Sequence, residues 1–109
     1  MANNFRNKII KNIGTQPVEI LSVTSTERAT VVGLSLTNLV SSFVYVDILV
    51  RDDTSVEGFY LKDTLLPANS SLRSVTNGEK LILAPDNVLS IRSSLDDSVD
   101  VILSYVETT

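Results

Sequence analysis

The stretch that decides the fold is Phe43-Val44-Tyr45-Val46-Asp47-Ile48-Leu49-Val50-Arg51. Apolar residues at 44, 46, 48 and 50 alternate with Tyr45, Asp47 and Arg51, so in an extended chain the two sets lie on opposite faces. A period of two is typical of a β-strand with one face against a core, whereas an amphipathic helix repeats every 3.6 residues. The stretch therefore predicts a half-buried strand near the middle of the chain.

Two further segments, 29–38 and 99–105, show the same alternation. The residues predicted to share one face are Val32, Leu34 and Leu36 in the first segment and Val99, Val101, Leu103 and Tyr105 in the second. Shorter β-like runs cover 17–24, 58–62, 71–75, 79–83 and 88–93. Val, Ile and Thr are abundant in the chain and Ala is scarce, as is typical of β-proteins.

Turn-forming residues separate these runs, and no helical pattern intervenes. Asn77-Gly78 predicts a type I′ hairpin turn, because both residues tolerate positive φ. About eight strands in a chain of 109 residues predict one all-β domain. The expected architecture is an antiparallel two-sheet β-sandwich, either a jelly-roll or an immunoglobulin-like fold.

The N-terminal region is ambiguous, since residues 5–13 fit a short helix, an edge strand or an extended arm. We favour an arm over residues 1–13, followed by the sandwich over residues 14–109. Arg6, Lys8 and Lys11 give the arm a charge of +3, and the chain total of −4 leaves −7 for the rest. The arm could be a solvated tail. It could also dock on an acidic neighbour, which makes these three residues candidate interface residues.

The composition argues against catalysis and against several classes of ligand. The chain has no Cys and no His, so the usual thiolate and imidazole nucleophiles, bases and metal ligands are missing. We predict no enzyme activity, no catalytic residue, no cofactor and no small-molecule substrate. The acidic body disfavours nucleic acid, and no apolar run is long enough to span a membrane.

Acidic loops and aromatic residues leave two alternatives open. Asp52-Asp53 and Asp96-Asp97 with Asp100 could bind calcium, although turn formation is the favoured explanation and we assign no metal site. Tyr45 and Tyr60 could lie on outward faces, which makes them candidate interface residues. A carbohydrate- or receptor-binding module is the alternative function, but the chain has no Trp with which to stack on sugars.

The sequence from Thr30 to Glu107 resembles small β-sandwich structural proteins of tailed-bacteriophage virions. The similarity lies in the succession Leu36-Thr37-Asn38, Leu66-Pro67-Ala68-Asn69-Ser70, Leu81-Ile82-Leu83-Ala84-Pro85-Asp86 and Val101-Ile102-Leu103-Ser104-Tyr105-Val106-Glu107. Asn69 replaces a glycine that is usual in this pattern, and Pro85 interrupts the residues before Asp86. Both changes suit turns.

The resemblance implies a role in a particle and no catalytic residues. It implies a non-enzymatic virion component, either a capsid decoration or cement protein or part of the neck or tail. Its partners would be copies of itself and other virion proteins, after assembly in the host cytoplasm. Repeated use of the same surface patches is how symmetric assemblies form.

Overall fold

The structure, a computed structural model, describes residues 3–75 and 80–109. Within these residues the chain forms nine β-strands and no helix, so none of them forms a helical span of a bilayer. The strands are β1 (Asn3–Ile13), β2 (Val18–Ser22), β3 (Arg28–Asn38), β4 (Val44–Arg51), β5 (Glu57–Leu66), β6 (Ser71–Val75), β7 (Leu81–Leu83), β8 (Val88–Ser93) and β9 (Val99–Thr108). The predicted all-β class is confirmed.

The strands pair antiparallel in two sheets that pack as a sandwich. Sheet A has the order β1-β9-β3-β6, with β7 also paired to β3, and sheet B has the order β2-β8-β4-β5. The pairs are nested along the chain, from β4 with β5 at the centre to β1 with β9 at the ends. A nested hairpin whose strands are shared between two sheets is a jelly-roll. Of the two predicted sandwich topologies, the jelly-roll is therefore the correct one.

Strands β6 and β7 occupy successive stretches along one side of β3, opposite residues 34–37 and 29–31. Both pair with β3 rather than with each other. Together β6 and β7 take the place of one strand, so the nine strands fill the eight strand positions of a jelly-roll. The type I′ turn predicted at Asn77-Gly78 lies outside the described residues.

The core lies between the sheets and takes alternate side chains from each strand. Among its buried members are Val44, Val46 and Ile48 of β4 and Val99, Val101, Leu103 and Tyr105 of β9. The intervening side chains of these two strands point away from the core, as with the exposed Tyr45 and Ile102. The alternation predicted for both strands is confirmed.

Strand β3 departs from its predicted alternation at one point. Its register with β9 shifts between Val31 and Gly33. Val31 is fully buried, whereas Val32 is 45 % exposed. The prediction that Val32 shares a face with Leu34 and Leu36 is therefore wrong, because a β-bulge inserts an extra residue and reverses the alternation.

A buried asparagine closes one end of the sandwich. The Asn38 side-chain amide donates hydrogen bonds to the carbonyls of Ser42, Leu66 and Pro67 at 2.9, 3.0 and 3.1 Å. Its Oδ1 accepts a hydrogen bond from the Val40 N–H at 2.9 Å. The connections β3–β4 and β5–β6 are thereby tied together, and a side chain that would be costly to bury unpaired has its partners.

Candidate assembly surfaces

Strand β1 forms one edge of sheet A, with β9 as its hydrogen-bonded neighbour in the described structure. The register runs without a shift from Asn3 opposite Thr108 to Ile10 opposite Val101. Residues 3–13 therefore form an edge strand, which was one of the alternatives, while the division into an arm over residues 1–13 and a sandwich over residues 14–109 stays a prediction. Ile13, which is buried in the core, anchors the end of this strand. The contact of residues 1–13 with a neighbour stays a prediction.

Two charged side chains of β1 lie on the core side of sheet A. Arg6 lies opposite Tyr105 and Lys8 lies opposite Leu103, and directly opposed residues share a face of a sheet. Both charged side chains are nevertheless exposed. Arg6 forms an ion pair with Glu107 of β9.

Two apolar side chains of β1, those of Phe5 and Ile9, point the other way. Phe5 lies opposite Val106 and Ile9 lies opposite Ile102, positions that face away from the core. Phe5 is 85 % exposed and Ile9 is 65 % exposed. In an isolated sandwich the apolar positions of a strand should face inward, so the pattern of β1 is inverted over residues 5–9. The outer face of sheet A therefore presents large apolar side chains to solvent.

Side chains from neighbouring strands continue this apolar surface across sheet A. We name two outer rows from the ladder register: the Phe5 row is Phe5, Val106, Thr30 and Ile82, and the Ile9 row is Ile9, Ile102, Ser35 and Arg73. Ile82 is 68 % exposed and Ile102 is 48 % exposed. Each row crosses the sheet perpendicular to the strands, so together they form two parallel ridges.

A trough separates the two rows. It is lined by Asn7, Ser104 and Gly33, which oppose one another across β1, β9 and β3. The exposed Val32 of the β3 bulge also borders it. Two shallow depressions of about 160 and 350 Å³ meet there at Ser104. A Cβ added at Gly33 would lie 3.6 Å from the Ser104 Cβ, an ordinary contact. The missing side chain therefore leaves space on the surface and does not relieve a clash.

The outer face of sheet B is organised around a partly buried carboxylate. Asp47 of β4 accepts a hydrogen bond from the Arg92 guanidinium at 2.8 Å and from the Asp63 N–H at 2.7 Å. Burial alone would raise the pKa of the Asp47 carboxyl, but the Asp63 and Arg92 hydrogen bonds and the nearby positive charges outweigh it and lower the pKa. Asp63 has a φ of 46°, so this bond also holds a bulge in β5.

Aromatic side chains on sheet B have partners within the chain. The rings of Phe43 and Tyr45 meet edge to face with centroids 5.6 Å apart. Leu65 lies opposite Tyr45 across the ladder. The Lys62 ammonium lies 4.6 Å from the centroid of the Phe59 ring, within the range of a cation–π contact.

The predicted interface residues do not form one site. Lys8 and Lys11 are exposed on β1, and among the described residues no carboxylate lies within ion-pair distance of either. Tyr45 is exposed on the outer face of sheet B. Tyr60 is half-buried and packs against the core. The structure thus spreads them over opposite sides of the sandwich, and their interface roles stay predictions.

The acidic loops act as caps for turns. Asp52 Oδ1 accepts hydrogen bonds from the Thr54 hydroxyl and from the N–H groups of Thr54 and Val56. Asp96 Oδ1 accepts from the N–H and hydroxyl of Thr15, each at 3.0 Å. These hydrogen bonds lower the pKa of both carboxyls. In the described ranges no three acidic side chains come together as metal ligands would.

The outer face of sheet A is the surface that sequence reasoning missed. The signal was present in β1, where Phe5 and Ile9 are out of phase with Arg6 and Lys8. Its meaning depends on the pairing with β9, because the register alone decides which of the two sets faces the core.

No family model matches this chain, and no curated protein matches it in sequence. Several solved structures share its fold. A chain of the Bacillus endospore appendages, described as disulfide-linked pili, matches with a TM-score of 0.58 and 9 % identity, over 98 % of this chain and 88 % of that one. A chain from the capsid of the Helicobacter pylori bacteriophage KHP30 matches with a TM-score of 0.53 and 12 % identity, over 98 % and 87 %.

A third similar structure comes from the IBDV viral particle. It matches with a TM-score of 0.56 and 9 % identity, over 94 % of this chain but 30 % of that one, so this domain spans less than a third of that chain. At such identities the likeness concerns the fold. It is consistent with the jelly-roll that the strand pairing defines.

Proposed function

We propose that this chain is a non-enzymatic structural protein of a tailed-bacteriophage virion. It would serve as a capsid decoration or cement protein or as a component of the neck or tail. It would act by packing against copies of itself and other virion proteins, in particles assembled in the host cytoplasm.

The observation that carries the proposal is the exposed apolar surface of β1 and its neighbours. Phe5, Ile9, Ile82 and Ile102 project from the same face of sheet A, away from the core. Folding does not need apolar residues at these positions, and water disfavours them there. Contiguous exposed apolar patches mark sites of association in soluble proteins. A chain that exposes such a face on a small, regular domain is suited to assembly.

Two further considerations support a particle role. The jelly-roll is shared with chains of a phage capsid, a viral particle and a pilus-like appendage, all of them repetitive assemblies. The sequence from Thr30 to Glu107 also resembles tailed-phage virion proteins. A domain that uses the same patches in every copy suits such symmetry.

The basic residues of β1 would orient the chain in the particle. Lys8 and Lys11 are exposed and lack ion-pair partners in the described part of the chain, whereas residues 14–109 carry −7. An acidic surface of a neighbouring subunit would attract them and set the approach of the two proteins.

Carbohydrate binding is the weaker alternative. The ring of its candidate residue Tyr45 packs edge to face against the ring of Phe43, with an angle of 77° between the two ring planes. Sugar binding by stacking needs an accessible flat ring face, and this pair does not form a coplanar platform.

The test is the copy number of this chain in purified phage particles that encode it, measured by quantitative mass spectrometry. Hundreds of copies would assign the chain to the capsid shell, and about a dozen would assign it to the neck or tail, because those sites have low cyclic symmetry. Particles that lack the chain altogether would overturn the proposal.

A charge variant tests the role of β1 in the same particles. Lys8→Glu should lower incorporation of a folded chain, because it replaces attraction by repulsion at the contact. Lys80→Glu is the matched control, since Lys80 is also exposed but lies outside β1. Equal incorporation of the two variants would remove β1 from the particle contact.

A further inference from the structure

We infer that the outer face of sheet A is a homodimer interface, on which the same face of a second copy packs about a two-fold axis. The inference rests on the proposed function and names the partner of one of its surfaces. It adds a symmetry and a contact geometry, neither of which the virion role itself requires.

Shape complementarity supports a second copy as the occupant. The Phe5 row and the Ile9 row are ridges, and the trough at Gly33 lies between them. Rows two residues apart along a strand are separated by about 6.7 Å. A second copy turned by a half-turn can place its Phe5 row in this trough. By the two-fold symmetry, the Phe5 row of the first copy then lies in the trough of the second copy, as an isologous interface requires.

The size of the face fits a stable dimer. Strands β1 and β3 each have 11 residues, and at about 3.4 Å per residue this gives a length of about 37 Å. Four strands spaced about 4.8 Å apart cover a width of about 19 Å. The resulting area of roughly 700 Å² is close to the roughly 800 Å² that each partner buries in a standard interface.

Charge also permits self-association here. Among the residues of the two rows and the trough, Arg73 is the one charged side chain, and it lies at the end of its row. The lysine and arginine of β1 that face the core side, Lys8 and Arg6, point away from this contact. Two copies can therefore meet face to face without bringing like charges together at the centre.

The outer face of sheet B offers a poorer contact for a second copy. Its centre is occupied by Asp47 and Arg92, which are paired with each other. Burying such a pair in an interface carries a desolvation cost that apolar side chains do not incur. This difference makes sheet B the source of a control variant.

The experiment is sedimentation equilibrium of the purified full chain over a wide range of concentrations. The wild-type chain should form a dimer. Phe5→Ser should weaken dimerisation at least about tenfold, since it removes from the contact a large aromatic side chain that is 85 % exposed in the monomer. Leu65→Ser removes an apolar side chain that is 53 % exposed on sheet B and should leave the dissociation constant within about twofold.

A second variant adds bulk and removes no contact. Gly33→Val would place a branched side chain in the trough, where its Cβ would lie 3.6 Å from the Ser104 Cβ, an ordinary contact within the monomer. At a concentration where the wild type is monomeric, the variant should keep the wild-type melting temperature, and at higher concentrations it should fail to dimerise. A dimer unchanged by Gly33→Val and Phe5→Ser, or one lost with Leu65→Ser, would overturn the inference.

The two proposals fail in different ways. A wild-type chain that stays monomeric at all concentrations but is found in particles would overturn the dimer and leave the virion role intact. A chain that dimerises as described but is absent from particles would overturn the virion role and leave the interface.

Discussion

The outer faces of the two sheets carry similar apolar side chains in different surroundings. On sheet B, Phe43 contacts Tyr45, and Phe59 lies beneath Lys62. On sheet A, Phe5 and Ile9 point outward from an edge strand, and no ring or cation contact to them occurs among the described residues. Exposure alone therefore does not distinguish the faces. The difference is whether the chain itself supplies partners for the exposed groups.

This difference separates stability from association. Polar and aromatic contacts on sheet B tie β4, β5 and β8 together within one chain. The outer rows of sheet A cross strands that the backbone hydrogen bonds of the sheet already connect. Substitutions on sheet B should therefore alter the free energy of unfolding, whereas substitutions on sheet A should alter contacts between molecules.

The largest effect on stability should come from Asp47→Ala. The change leaves Arg92 without its carboxylate and the Asp63 N–H without its acceptor at a backbone position of positive φ. We expect the free energy of unfolding to fall by about 2–3 kcal/mol. Urea denaturation measures this. Asp47→Asn keeps an oxygen acceptor and should lose about half as much, and equal losses for the two variants would contradict the role of the Asp63 bond.

The next largest effect concerns the loss of folding stability at acid pH. The pKa of Asp47 is lower in the folded state than in an unfolded chain. The unfolded state therefore binds more protons on acidification, and the stabilisation present above the ordinary value of about 3.9 is lost as the pH falls through the folded pKa.

Asp47→Asn should flatten this acid limb as the pH falls below the ordinary carboxyl pKa of about 3.9. Urea titrations at a series of pH values test it. Asp52→Asn is the comparison at a half-buried loop carboxyl whose pKa is also lowered, by hydrogen bonds from Thr54 and Val56. An acid limb unchanged by Asp47→Asn would show that other carboxyls determine it.

Much of the fold could be predicted from sequence because its strands are regular. Strands β4 and β9 have apolar residues at every second position, and this property identified the faces that they turn to the core. The bulge at Val32 could not be predicted, because it depends on how β3 pairs with β9 and not on the residues of β3.

The candidate surface was less predictable for a related reason. The sequence shows that Arg6 and Lys8 are basic, but it does not show which face of the sheet they occupy. That face is set by their partners Tyr105 and Leu103, which lie about 97 residues away in sequence. The same long-range register turns Phe5 and Ile9 outward. A shift of one residue in the pairing of β1 would exchange the two faces, and the sequence of β1 by itself does not choose between these registers.

The smallest effects should come from the matched pair Phe43→Ala and Phe5→Ala, which compares the faces directly. Phe43→Ala removes an edge-to-face contact and should cost about 0.5–1 kcal/mol of unfolding free energy. Phe5→Ala removes a side chain that is 85 % exposed and should cost less than about 0.5 kcal/mol.

Both measurements should be made by urea denaturation at a protein concentration below the dimer dissociation constant, so that association does not add to stability. A loss for Phe5→Ala as large as that for Phe43→Ala would mean that the outer face of sheet A stabilises the monomer. A small loss at low concentration that grows at high concentration would show that Phe5 stabilises the chain through a second molecule, since binding to the folded state adds to its apparent stability.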